Sequence, residues 1–114
     1  MHVDSYEFGR IVIDAVTYSS DCLIVNGAVR PDWWRKQGHI LCADDLAPII
    51  AARPSVLVIG TGDSAMMTVP DKIRRLLRRH DIAVEVLDTH SAVSRFNELS
   101  NAGVSVAAAL HLTC

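Results

Sequence analysis

Residues Val56-Leu57-Val58-Ile59-Gly60 form an unbroken apolar run that ends in glycine. A strand with apolar side chains on both faces must be covered on both faces, as in a parallel sheet flanked by helices. The downstream residues supply such helices. Pro70 suits the first turn of a helix ending near Arg79, with Ile73, Leu76 and Leu77 as its apolar stripe. Ala83-Val84-Glu85-Val86-Leu87 reads as the next strand. Thr89 or Ser91 is placed to cap a third helix, with Ala92, Phe96 and Leu99 facing inward and Gly103 closing it. The last strand runs from Val104 to about Leu110. Strand–helix–strand–helix–strand with short connections implies right-handed parallel crossovers.

The first thirty residues carry a different signal. Arg10–Ile13, Val16–Tyr18, Cys22–Val25 and Val29-Arg30 are short strand-like runs, and Asn26-Gly27 between two of them is a hairpin turn signal. They read as an antiparallel meander that Pro31 ends, because proline has no N–H to donate. An irregular connector, Asp32 to His39, carries both tryptophans. Asp44 or Asp45 is placed to cap a short helix through Ala52, with Leu46, Ile49 and Ile50 as its stripe and Pro54 as its stop. The expected fold is α/β: one three-layer domain over residues 1–114, with the N-terminal antiparallel meander joined to a βαβαβ unit in a mixed central sheet.

Composition removes several classes of function. Hydrophobic residues make up 50% and charged residues 21%, so the chain can bury a core and is not disordered. A formal net charge of -2 argues against a general nucleic-acid binder. No apolar run approaches the ~20 residues that span a bilayer, so no membrane partner is expected. Met1-His2-Val3-Asp4 lacks a basic-then-apolar leader pattern. Three widely spaced cysteines, Cys22, Cys42 and Cys114, suit reduced thiols in the cytoplasm better than a disulfide framework. Cys22 opens an apolar run and is expected to be a buried small hydrophobe.

Four clusters are candidates for chemistry. Gly60-Thr61-Gly62-Asp63-Ser64-Ala65 follows a strand and matches G-x-G-x-x-A, with Asp88 at the end of the next strand where a ribose-binding acid would lie. Pro70 argues against a dinucleotide site, because a helix starting within the glycines would carry it in its interior. The alternatives are a glycine turn, or the wall of a ligand pocket beyond the strand ends. His39 with Cys42 and His111 with Cys114 form two H-x-x-C pairs, a competent zinc set if they meet. The plainer reading is a connector histidine, a half-buried Cys42 and a loose terminus.

Asp32, Trp33, Trp34, Arg35 and His39 form the densest mixed cluster. Arg35 suits an anion, His39 a proton, and the tryptophans an interface. Against this, one tryptophan would cap the core and Arg35 would pair with Asp32 or Asp14. Finally, Lys72, Arg74, Arg75, Arg78 and Arg79 make one helix basic, with Lys72, Arg75 and Arg79 on one face. Such a face suits an anionic partner or nucleic acid; against this, a solvated face whose last cations suit the helix C-terminus is the plainer reading.

Several words of the sequence are recognisable as a set. They are Phe8-Gly9-Arg10-Ile11-Val12-Ile13-Asp14, Asp32-Trp33-Trp34-Arg35 with Gly38-His39, and Val58-Ile59-Gly60-Thr61-Gly62. Val84-Glu85-Val86 with Asp88-Thr89, Phe96-Asn97 with Leu99, and Ala107-Ala108-Ala109-Leu110 come after them in order. The chain resembles the family of small α/β proteins that includes the adipogenesis-associated Mth938-domain-containing protein and a mitochondrial complex I assembly factor. The resemblance implies a three-layer fold with a mixed sheet, no established catalysis and no metal site.

The resulting expectation is a non-enzymatic binding or assembly protein with no cofactor and a protein partner, a homodimer included. Its surface would comprise Asp32, Trp33, Trp34, Arg35 and His39 beside Gly60, Thr61, Gly62 and Asp63. The alternatives are a small-ligand or nucleotide-binding enzyme with its pocket at the Gly60-Thr61-Gly62 loop, and a zinc protein using the H-x-x-C pairs.

Overall fold

A computed structural model describes all of residues 1–114. Strands β1 (Val3–Glu7), β2 (Arg10–Ile13) and β3 (Val16–Tyr18) form a three-stranded antiparallel sheet. β4 (Cys22–Val25) and β5 (Ala28–Arg30) form the expected hairpin, with Asn26 at φ 53° and Gly27 at φ 69° in its turn. The hairpin belongs to the central sheet, whose order is β5-β4-β8-β6-β7 once β6 (Val56–Gly60), β7 (Ala83–Leu87) and β8 (Val106–Leu110) are added. β6 pairs in parallel with both β7 and β8, and β4 joins β8 antiparallel. The meander thus gains a strand before Arg10 and divides. Three strands make their own sheet, and the hairpin continues the mixed one.

Alternation along the central strands builds two cores. Leu23, Val25, Leu57, Ile59, Ala107 and Ala109 face one way, under α1 (Ala47–Ala52) and α2 (Asp71–Arg79). Cys22, Ile24, Val58, Ala108 and Leu110 face the other way, toward α3 (Thr89–Asn101) and Val3, Ile11 and Ile13 of the small sheet. Side chains in a strand alternate sides, so a run apolar at every position feeds both layers.

The helix ends differ from the sequence expectation. Cys42, not Asp44 or Asp45, stands at the N-cap of the 3-10 turn Ala43–Leu46 that leads into α1. Asp45 reaches back to accept from the Cys42 amide at 2.8 Å. Asp88, not Thr89 or Ser91, caps α3, accepting from the Ser91 amide at 3.0 Å and its hydroxyl at 2.7 Å. Pro70 stands immediately before α2, and residues 61–69 contain no helix.

Candidate functional site

Parallel pairing puts the C-terminal ends of β6, β7 and β8 together. Antiparallel pairing of Cys22 with Leu110 brings the residue before β4, Asp21, to the same end. There Asp21 Oδ2 lies 2.8 Å from Arg35 Nη2 and 2.7 Å from His111 Nδ1. Its Oδ1 accepts from the Leu112 amide at 2.7 Å. The carboxylate places the histidine proton on Nδ1 and leaves Nε2 as the basic nitrogen. Arg35 Nη2 also approaches Nδ1 at 3.1 Å, but two donors cannot bond each other, so both point to Asp21.

Arg35 Nε donates to the Gly38 carbonyl at 2.6 Å, and its guanidinium stands 4.9 Å from the Trp33 ring centre. The His39 ring lies edge-on to His111 with centres 5.4 Å apart. The Arg35 and His111 side chains are only 6% and 5% exposed. Two buried atoms here, Arg35 Nη1 and His111 Nε2, have no partner in the chain. Burial opposes charge on Asp21, yet the bonds from His111, the Leu112 amide and Arg35 outweigh it and hold its carboxyl below the usual range.

The glycine loop lies beside this cluster and is filled from within. Gly62 N–H donates to Thr89 Oγ1 at 2.9 Å, and that hydroxyl donates to the His111 carbonyl at 2.6 Å. The Asp63 amide donates to the Thr113 carbonyl at 2.7 Å. The Ser64 and Met66 amides reach the Cys114 backbone oxygen at 3.3 and 3.0 Å. These N–H groups are the ones a phosphate would need. Gly60, Thr61 and Gly62 are buried, and the residues after β8 lie across them. Asp63 bonds His90 Nε2 at 2.7 Å. Tyr6 packs edge-on against His90 and donates to the Leu112 carbonyl at 2.7 Å. Burial, then Asp63 and Asp21, push its phenol up to about 12.

The connector after β5 opens a different space. Trp33 is 7% exposed and donates from Nε1 to the Asp45 carbonyl at 2.9 Å. Trp34 is 76% exposed. A groove of about 450 Å³ runs along it, lined among others by Pro31, Asp32, Lys36, Asp44 and Pro48.

The family described as protein of unknown function DUF498/DUF598 matches residues 3–111, nearly the whole chain. The chain belongs to this family. A human relative, NADH dehydrogenase [ubiquinone] 1 alpha subcomplex assembly factor 3, is 29% identical over 113 residues, covering 96% of this chain and 60% of that protein. This chain therefore spans about three fifths of the curated relative's length. A conserved hypothetical protein from Pyrococcus horikoshii OT3 is similar in structure, with TM-score 0.87, 23% identity and 100% of each chain covered. So is a Bordetella pertussis protein described as a Mth938-like domain, with TM-score 0.67 and 22% identity over 97% of this chain and 85% of that one. The resemblance carried by the sequence words is membership of an Mth938-like family that includes a distant complex I assembly factor.

In this DUF498/DUF598 chain the nine residues expected to form one surface separate. Asp32, Trp33 and Trp34 line the groove, whereas Arg35 turns inward to Asp21, and His39 stands exposed over His111. Arg35 pairs with Asp21, not with Asp32 or Asp14. The ligand pocket expected at Gly60-Thr61-Gly62 is not open, because the loop's amides are spent on Thr113 and Cys114. Asp88, expected at a ribose-binding position, caps α3, with both carboxylate oxygens accepting from Ser91. Of the four H-x-x-C residues the two histidine rings meet, and no group of three or more His, Cys, Asp or Glu is placed to hold a metal ion. Cys22 is buried as expected, its thiol pushed up to about 12 by burial and then by Asp21.

Sequence reasoning missed Asp21. Its neighbours Ser20 and Cys22 form no motif with it, and its partners lie 14 and 90 residues away.

Proposed function

We propose that this chain is a non-enzymatic binding or assembly protein that meets a protein partner through the Trp34 groove. The observation that carries this reading is the contrast between the tryptophans. Trp33 is locked under Asp45, and Trp34 stands in solvent beside it. A large aromatic held on a fixed backbone offers contact area at little ordering cost. Pro31 and Pro48 stiffen the walls, and the Asp32 amide is tied to Ser20 Oγ at 3.0 Å. The curated relative named as an assembly factor supports the same class of role.

The test is Trp34→Ala with its thermal unfolding checked. Immobilised variant and native chain are compared for the proteins they retain, and sedimentation velocity reports self-association. Loss of captured partners, or of a dimer, at an unchanged Tm supports the reading. An unchanged set of partners and an unchanged oligomeric state overturn it.

A second reading rests on the Asp21–Arg35–His111 cluster, where a guanidinium nitrogen, Arg35 Nη1, and an imidazole nitrogen, His111 Nε2, are each buried without a partner. That arrangement suits a small anion or a proton transfer. Both atoms are sealed from solvent, which places this reading second. A metabolite screen that raises the Tm of the native chain but not of Arg35→Lys would bring it forward. No shift with any ligand would remove it.

A further inference from the structure

Helix α2 carries Lys72, Arg74, Arg75, Arg78 and Arg79 within nine residues. None of the five takes part in an ion pair anywhere in the chain. The acids nearest in sequence, Asp71 and Asp81, lie at its two ends. A helix C-terminus accounts for Arg78 and Arg79 but not for Lys72 or Arg75. Beside this helix lies a groove of about 330 Å³, lined by Cys42, Ala43, Lys72, Ile73, Leu76 and Arg79.

The order of these residues has a pattern. Lys72, Leu76 and Arg79 stand at i, i+4 and i+7, so they share one face, with the cations about 10 Å apart along the axis. Leu76 is half-buried between them, and Ile73 and Ala43 add apolar surface. This is a cation–apolar–cation stripe beside an apolar trough.

We infer that this face docks an acidic amphipathic helix of a partner protein. Two acidic side chains two turns apart would meet Lys72 and Arg79, and an apolar side chain between them would sit on Leu76. Nucleic acid fits less well. The groove has no aromatic side chain for a base, its floor is apolar, and the chain's formal net charge is -2. The groove shares no lining residue with the Trp34 groove, whose Asp44 directly follows Ala43, and substitution at Trp34 tells the two apart.

The test selects random displayed peptides on the native chain and removes those that also bind K72E/R79E, a variant with two exposed changes. The survivors are expected to be acidic helices with an apolar residue between two acids. They should bind Leu76→Ser at least about tenfold more weakly than they bind the native chain. A peptide with its acids changed to lysine should recover binding to K72E/R79E, and Trp34→Ala should bind as the native chain does.

Four results would each overturn the proposal. They are a selection yielding no acidic survivors, survivors indifferent to Leu76→Ser, failure of the charge swap, and dependence on Trp34. A short DNA or RNA duplex that binds through the same cations while no peptide survives would also overturn it, in favour of nucleic acid.

Discussion

Adjacent residues of one type have opposite fates here, and the difference is measurable. Trp33 fills the core and spends its indole N–H on Asp45, while Trp34 projects outward. Trp33→Ala should cost about 4 kcal/mol in urea unfolding, and Trp34→Ala should stay within about 0.5 kcal/mol of the native chain. Gly62 is a second such point. Its φ is +117°, and a Cβ there would come 2.4 Å from the Cys114 backbone. Gly62→Ala should lower stability by about 3 kcal/mol, read by the same unfolding experiment.

Asp21 gives a pH test. Its carboxyl lies below the ordinary range when folded. Such a group stabilises the fold fully above its unfolded pKa, about 4, and loses that contribution as pH falls through the lower folded value. Asp21→Asn should therefore flatten the decline of stability below about pH 4, in unfolding curves taken across an acid series. At neutral pH it should cost about 3 kcal/mol, because Arg35 is left buried without its carboxylate.

At the scale of elements, the strands from β2 onward were legible, while β1 and the caps were not. β6 and β8 announce themselves by apolar runs that feed both cores. A cap depends on which of several neighbouring oxygens reaches an amide, and Asp88, Thr89 and Ser91 are all competent types. The backbone assigns the cap to Asp88 and sends Thr89 inward to join Gly62 to His111. Asp88→Ala should accordingly cost about 1 kcal/mol in thermal or urea unfolding. Thr89→Ser retains the hydroxyl and loses the packed methyl, so it separates bonding from packing at that junction.

For the molecule as a whole, the chain's chemistry gathers at one end of the central sheet. Asp21, Arg35, His39 and His111 converge at the C-terminal ends of the parallel strands, from segments far apart in sequence. Native mass spectrometry of protein purified without chelator should show the bare chain or a whole multiple of it. A zinc-sized increment would contradict the absence of a grouped set of metal ligands.

Periodicity by itself determined the α/β class, the order of elements from Arg10 onward and the two-sided burial of the central strands. Those properties depend on which side chains avoid water, and a local pattern of 2.0 or 3.6 residues records that. Only the tertiary structure decided that Arg35 pairs with Asp21, that Trp34 and not Trp33 faces solvent, and that the glycine loop holds the chain's own last residues. Each of these is a choice among chemically equivalent partners. The choice is made by strand register and sheet order, which bring together residues up to 90 positions apart.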